Sequence, residues 1–184
     1  MKQIFLILTF LGFTFMAKAQ NTSVEKSTSG VQTGILGIYG YNEAKLTNTI
    51  AFRSELGFDF GYWNGIVYPK AGIAFVPTIT AEPRLYYNLS NRVKKSKSIA
   101  GNSGNFIALK LNFHPDWFTI SNYKNIKVEP DISIIPTWGI KRNFGKHFTF
   151  ETGIGVGYRF YLNKNSYSKN TTALNLLLRI GYRF

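Results

Sequence analysis

Residues 173–184 read ALNLLLRIGYRF, and their side chains alternate between two rows along the whole stretch. One row is large and apolar: Leu174, Leu176, Leu178, Ile180, Tyr182 and Phe184. The other row is smaller or charged: Ala173, Asn175, Leu177, Arg179, Gly181 and Arg183. A period of two residues is that of a β-strand. Since chain ends are usually frayed and polar, a patterned strand that runs to Phe184 indicates that the fold requires it in full.

The same alternation recurs through the rest of the chain, between clusters of Gly, Asn, Ser and Lys. Clear strands are predicted over residues 49–62, 71–89, 107–113, 131–141, 148–162 and 173–184. A seventh is predicted within residues 30–41, GVQTGILGIYGY, where glycines on both faces make the pattern less distinct. No stretch after the N-terminal segment has a convincing helical period. The sequence therefore predicts an all-β fold.

Alternation alone does not say which row faces inward, because a soluble barrel hides its apolar row and a membrane barrel exposes it to lipid. Three features favour the membrane arrangement. The apolar rows carry essentially no charge over whole strands. The polar rows are rich in Gly, Thr, Asn and Tyr, as a narrow interior requires. The strands are about 10 residues or longer, which matches a tilted membrane strand rather than a soluble one.

Aromatic residues cluster towards the two ends of the predicted strands. One group is Phe58, Phe60, Tyr62, Tyr158 and Phe160, and the opposite group is Phe148, Phe150, Tyr182 and Phe184. Two aromatic belts of this kind are typical of a barrel that crosses a membrane. The alternative is a set of core aromatics in a soluble sandwich.

Bacterial barrels formed by one chain normally have an even number of strands, so seven recognisable strands predict an eighth. We expect it within residues 20–30, or from a division of residues 63–90 or 113–130 into two strands. The predicted fold is an antiparallel up-and-down transmembrane β-barrel of eight strands.

The N-terminal residues 1–20, MKQIFLILTFLGFTFMAKAQ, have the layout of a secretory signal peptide. Lys2 precedes an apolar run over residues 4–15, and Ala17-Lys18-Ala19 provides a cleavage site before Gln20. The alternative, a membrane-spanning helix, requires about 20 apolar residues. We therefore predict a signal peptide at 1–19 and one barrel domain at 20–184. The chain has no cysteine, which excludes disulfides, thiolate metal sites and cysteine nucleophiles.

The chain carries a formal net charge of +13. Such an excess of positive charge suggests an acidic partner such as lipid phosphate, whereas export argues against nucleic acid. Scattered lysines that merely keep the protein soluble explain the charge equally well.

The terminal row Leu178, Ile180, Tyr182 and Phe184 resembles the C-terminal assembly signal of bacterial outer-membrane barrels. The runs TAEPRLYYNLSNRVKK (80–95), SGNFIALKLNFHPDW (103–117) and IIPTWGIKRNFGKHFTFETGIGVGYRF (134–160) resemble a family of small outer-membrane barrels of uncharacterised role. The resemblance implies Sec-type export to the outer membrane of a Gram-negative cell. It also implies contact with outer-membrane lipid, lipopolysaccharide and the barrel-assembly machinery, for a protein expected to be a monomer.

A periplasmic C-terminus would place alternate connections on opposite sides of the membrane. Residues 42–48, 91–104 and 142–147 are then periplasmic, and residues 63–70, 114–130 and 163–172 are extracellular. The basic stretch RVKKSK (92–97) is long for a periplasmic turn, and we interpret it as a solvated turn.

The polar rows predict a charged network in the barrel interior: Arg53, Glu55, Asp59, Glu82, Arg84, Lys110, Glu151, Arg159, Arg179 and Arg183. Eight strands leave an interior that side chains can fill. We therefore interpret this network as a structural plug of paired ions, with Glu82, Arg84, Glu151 and Arg159 lining it. A narrow channel is the alternative.

Catalysis would require a base within reach of a nucleophile. His114 with Asp116 and Ser121 could imitate the triad of a lipid-A deacylase barrel, but the serine spacing does not place it beside the histidine on one strand face. His147 is expected on the other side of the membrane. No metal or nucleotide motif is present in the sequence, and no cofactor is expected. The sequence favours a non-enzymatic structural or surface-binding protein over a lipid-A-modifying enzyme, a narrow channel or a soluble periplasmic carrier.

Overall fold

The computed structural model describes residues 22–64, 71–123, 126, 128–163 and 170–184. The predicted signal peptide, residues 1–19, and parts of the predicted connections 63–70, 114–130 and 163–172 lie outside the described residues. The strands are β1 (Ser27–Gly34), β2 (Gly37–Lys45), β3 (Ile50–Trp63), β4 (Gly72–Tyr86), β5 (Gly104–His114), β6 (Ile120–Ser121), β7 (Asp131–Phe144), β8 (Phe148–Tyr161) and β9 (Thr171–Arg183).

Eight of these strands form a closed ring. Neighbours around the ring pair antiparallel in the order β1, β2, β3, β4, β5, β7, β8 and β9, and β9 pairs with β1 to close it. The short β6 lies outside the ring and pairs with β4 at Ala74 and Phe75. The predicted eight-stranded antiparallel up-and-down barrel is confirmed.

The prediction of a single strand within residues 30–41 was wrong. This segment holds parts of β1 and β2, joined by a tight hairpin whose tip is Ile35 and Leu36. The eighth strand therefore does not come from dividing residues 63–90 or 113–130. The hairpin could not be recognised from the sequence for two reasons. Its tip is apolar instead of Asn-Gly or Asp-Gly. Gly34 and Gly37, which flank the tip, carry no side chain that would show which face of the strand they belong to.

The apolar rows face outward and the polar rows face inward. Leu56 and Leu174 on the outer wall are 66% and 65% exposed, whereas Arg53 and Arg84 inside are completely buried. This arrangement is the reverse of a soluble barrel, in which apolar side chains fill the interior.

The two ends of the barrel differ. The terminal end, where both β1 begins and β9 ends, holds the connections 46–49, 87–103 and 145–147. The loop end holds the hairpin tip and the connections 64–71, 115–130 and 162–170.

The connection 87–103 contains more than the solvated turn that was predicted for residues 92–97. It forms a short helix α1 (Leu89–Lys94) and a 3-10 turn (Ala100–Asn102). Leu89 packs in an apolar cluster with Val24 and Phe106, and Asn102 is completely buried. The connection therefore folds into the terminal end, while its lysines remain exposed. No helix in the described part of the chain is long and apolar enough to cross a membrane.

Aromatic side chains contact one another at both ends of the outer wall. At the loop end the pairs are Phe58–Phe118, Phe60–Phe75 and Tyr158–Phe160. At the terminal end they are Phe144–Phe150, Phe148–Tyr182 and Tyr182–Phe184.

Candidate functional site in the barrel interior

Two carboxylates and three cations meet in the middle of the barrel. They are Glu43, Arg53, Arg84, Lys141 and Glu151, called here the central ion layer, and all five side chains are completely buried. Glu43 Oε1 lies 2.9 Å from Arg53 Nη1, 3.1 Å from Arg84 Nη1 and 2.9 Å from Lys141 Nζ. Both arginines also lie 3.2 Å from a Glu151 oxygen. The layer thus joins five different strands through charge.

Neutral donors satisfy the remaining oxygen atoms of the layer. The second oxygen of Glu43 accepts hydrogen bonds from Asn102 Nδ2 at 2.7 Å and from the Tyr86 hydroxyl at 3.0 Å. Gln32 Nε2 donates to Glu151 at 3.0 Å. Burying charges is unfavourable unless they are paired and hydrogen-bonded. The layer meets this requirement with donors from β1, β4 and the connection 87–103.

Aromatic rings cover the guanidinium groups inside the barrel. Arg53 lies 4.0 Å above the centre of the Tyr41 ring, and Arg179 lies 3.9 Å above that of Tyr39. Arg84 stacks in the same way on Phe106 at 4.2 Å. Cation–π contacts are strongest when desolvated, so these rings add to the stability of the buried charges.

The remaining predicted network residues extend the charged interior towards both ends. Glu55 accepts from Arg53 Nε and from Arg179 Nη1, the latter at 2.8 Å, and Glu82 pairs with Arg84 at 3.0 Å. Lys110 is buried beside Asn175 Oδ1, at 3.5 Å. At the terminal end, Arg183 pairs with Glu25 at 3.2 Å.

Sequence reasoning omitted Glu43 and Lys141 from the predicted network. Glu43 was assigned to the predicted turn 42–48, whereas β2 continues to Lys45. Lys141 follows the polar row of its strand, which was a usable signal, but it lies near the end of that row. Asn102 gave no signal, because it lies in residues 91–104, which were predicted to be a periplasmic connection outside the barrel interior.

A second charged group lies at the loop end. It consists of Tyr39, Asp59, His114, Asp131 and Arg159, called here the loop-end cluster. His114 Nε2 lies 2.8 Å from Asp59 and Nδ1 lies 3.1 Å from Asp131. The Tyr39 hydroxyl donates to Asp59 at 2.8 Å, and Arg159 Nε lies 3.3 Å from Asp131. Asp59 and Arg159, two members of the predicted network, therefore belong to this cluster rather than to the central ion layer.

The histidine of this cluster has partners on both ring nitrogens. Nδ1 lies 3.1 Å from both Asp131 oxygens, and Nε2 lies 2.8 Å from Asp59 and 3.0 Å from the Asn112 amide nitrogen. These contacts from two sides fix the orientation of the ring.

The triad considered from the sequence is not assembled. In the described part of the chain, the hydrogen-bond partners of His114 are Asp59, Asn112 and Asp131. Ser121 Oγ instead donates to the Ile73 carbonyl at 2.7 Å. His147 lies in the turn at the opposite end, 2.9 Å from the Arg183 carbonyl.

Comparisons of the chain with protein-family models, with curated proteins and with solved structures gave no match. Among the described residues, no group of three or more His, Asp or Glu side chains is placed to hold a metal ion. The function is therefore argued from the geometry of the barrel.

Proposed function

We propose that the chain is an integral outer-membrane β-barrel with a non-enzymatic role, a sealed interior and a loop end that serves as a binding surface. The observation that carries the proposal is the inversion of the barrel, with apolar side chains outside and paired charges inside. The terminal end is then periplasmic and the loop end extracellular.

The outer wall supports a lipid environment. Monomeric soluble proteins rarely expose a contiguous apolar patch larger than a few hundred Å². Here the outward rows of neighbouring strands are exposed and apolar, including Leu56, Ile154, Leu176 and Ile180. A membrane barrel requires such a surface because lipid, and not water, surrounds it.

Strand length and aromatic placement also support this reading. β3, β7 and β8 have 14 residues each, enough to cross a bilayer, which takes about 9–11 residues in a tilted strand. The aromatic contacts lie near the two ends of the strands, where the water interfaces would be.

The interior supports a structural role over a channel. All five side chains of the central ion layer are completely buried, which supports an interior that is filled at its middle. We therefore propose that the layer stabilises the barrel by tying strands together. The surroundings of His114 support a non-enzymatic assignment over a lipid-A-modifying enzyme, because among the described residues its partners are Asp59, Asn112 and Asp131 and include no nucleophile.

The proposed partners follow from this location. The outer wall would contact outer-membrane lipid and lipopolysaccharide. The outward row Leu178, Ile180, Tyr182 and Phe184 lies on β9 and its end, where the assembly machinery could bind it before closure. Once the ring is closed, the main-chain pairing of the eight strands requires no second copy, so we propose a monomer.

The test is fractionation of expressing cells, followed by denaturing electrophoresis of boiled and unboiled membrane samples. We expect the protein in the outer-membrane fraction and faster migration without boiling, because a closed barrel has no edge from which to unfold. Recovery in the aqueous periplasmic fraction, with one mobility, would refute the proposal and favour a soluble carrier.

A further inference from the structure

The barrel wall closes unevenly. β3 and β4 pair over their whole length, from Ile50–Leu85 to Trp63–Gly72. The closing pair, β1 and β9, is joined only from Gly30–Arg183 to Gly34–Arg179. The weakest part of the ring is therefore the seam between the first and last strands.

The short seam leaves a gap at the loop end. The β1–β2 hairpin stops at Leu36, whose carbonyl accepts from the Phe60 N–H at 2.7 Å. β3 continues beyond it to Trp63, and residues 171–178 of β9 have no pairing to β1. At a strand rise of about 3.3 Å per residue, that unpaired stretch is about 26 Å long. We call the gap between the hairpin tip, β3 and β9 the wall notch.

A cavity of about 320 Å³ lies at the wall notch. His114, Asp131 and Arg159, which line it, belong to the inward rows of their strands. Phe60 and Leu174, which also line it, belong to the outward rows. Among the described residues, this cavity is therefore lined by both faces of the wall. The notch therefore connects the outer apolar surface with the loop-end cluster.

The cluster presents one charge that is only partly satisfied. Asp131 lies within hydrogen-bond distance of His114 and faces Arg159, and Asp59 lies within hydrogen-bond distance of His114 and accepts from the Tyr39 hydroxyl. Arg159, by contrast, approaches Asp131 through Nε alone, and its side chain is 35% exposed. Within the described residues its two terminal nitrogens donate no hydrogen bond. An arginine fork of this kind matches the oxygens of a carboxylate or phosphate.

We propose that the wall notch binds an anionic amphiphile, with its carboxylate or phosphate head on Arg159 and one apolar chain passing between Phe60 and Leu174 to the outer wall. The proposal rests on the proposed membrane location, since the bilayer would supply the ligand. A cationic head fits less well, because both carboxylates already face donors.

The binding test uses the full mature chain in nanodiscs of phosphatidylcholine, titrated by calorimetry. Dodecanoate and dodecyl phosphate are the anionic probes and separate the two possible heads. Dodecanol and dodecyltrimethylammonium carry the same chain with a neutral or a cationic head. We expect saturable binding of at least one anionic probe, and no saturable binding of the other two.

Two pairs of variants test the residues involved. Arg159→Gln removes the proposed head contact, and Lys146→Gln removes an exposed cation from the turn at the terminal end. Gly61→Leu fills the cavity from its lining, where an added Cβ would have its nearest neighbour at 3.8 Å. Gly40→Leu is the matched control, because its Cβ also has 3.8 Å of room but points to the outer wall.

We expect Arg159→Gln to weaken binding by roughly tenfold or more, as for loss of a charge-assisted hydrogen bond. Gly61→Leu should abolish saturable binding, and both control variants should bind as the parent does. Equal binding by all four variants, or saturable binding of dodecanol, would overturn the proposal. Electrophoresis of unboiled samples is run on every variant, so a membrane-inserted, heat-shifted barrel that binds no probe refutes only the notch. Absence from the membrane refutes the proposed function itself.

Discussion

The central ion layer and the loop-end cluster contain the same types of charged group in the same barrel, yet their surroundings differ. Glu43 faces three cations and two neutral donors, and nothing in the layer reaches water. In the loop-end cluster the side chains of Asp59 and Arg159 are 30% and 35% exposed. In the first group every charged side chain already has an ion-pair partner and is closed off from water. The second has room and charge for one.

The physical reason for the difference is the dielectric environment. A charge pair interacts several times more strongly in a protein interior than in water, and a buried charge that loses its partner is strongly unfavourable. The role that we propose for the central ion layer is therefore to hold strands together. The loop-end cluster is partly solvated, so it can exchange partners at small cost.

The largest expected effect is on the central ion layer. Glu43→Ala would leave Lys141 with Glu151 alone, 3.8 Å away, and would remove one carboxylate from both Arg53 and Arg84. We therefore expect the free energy of unfolding to fall by about 3–5 kcal/mol. The measurement is urea unfolding in lipid vesicles, followed by tryptophan fluorescence. Asp116→Ala removes an exposed carboxylate at the loop end and should change stability by less than about 0.5 kcal/mol. Equal effects of the two variants would contradict a structural role for the layer.

The next largest effect concerns the outer wall. Leu176 is 55% exposed in the middle of β9. If lipid surrounds the wall, Leu176→Arg should lower the free energy of unfolding by about 2–4 kcal/mol. Leu46→Arg, in the turn at the terminal end, should cost no more than about 1 kcal/mol. The same unfolding assay compares them. In a soluble barrel, both exposed leucines would tolerate arginine equally, which would remove the basis for the membrane assignment.

An intermediate effect is expected where the connection 87–103 meets the central ion layer. Asn102→Ala removes the donor to Glu43 and the acceptor of the Glu25 N–H, which should cost about 1–3 kcal/mol. Hydrogen exchange of residues 87–103 should become faster. Asn91→Ala, on the exposed side of α1, is the control. Unchanged exchange in Asn102→Ala would mean that the connection is held by Leu89 and its apolar contacts alone.

The smallest effect on stability is expected at the loop-end cluster. Arg159→Gln removes an ion pair whose arginine is 35% exposed and whose carboxylate keeps its contact with His114, and partly solvated pairs contribute about 0–1 kcal/mol. The variant should therefore unfold at nearly the same urea concentration as the parent, even though it loses the proposed ligand contact. A decrease in the free energy of unfolding as large as that caused by Glu43→Ala would show that both clusters are structural. The contrast between them would then disappear.

Much of the fold could be predicted because the strands alternate so regularly. β3, β4, β8 and β9 were recognisable from their apolar rows alone. The hairpin of β1 and β2 was not, since Gly34 and Gly37 on either side of its tip carry no side chain to define a face. The short helix and the 3-10 turn in the connection 87–103 were also not predicted. Its polar composition resembles that of a solvated turn, and only contact with the rest of the barrel makes Leu89 and Asn102 buried.

The sequence by itself determined which side chains share a face, because a strand has a period of two whatever surrounds it. It did not determine which side chains contact each other across the barrel. Glu43 and Lys141 are 98 positions apart, and Asp59 meets His114 across 55. These contacts depend on strand register and on closure of the ring, which only the tertiary structure decides. The same holds for the wall notch, which exists because one hairpin is shorter than the strands on either side of it.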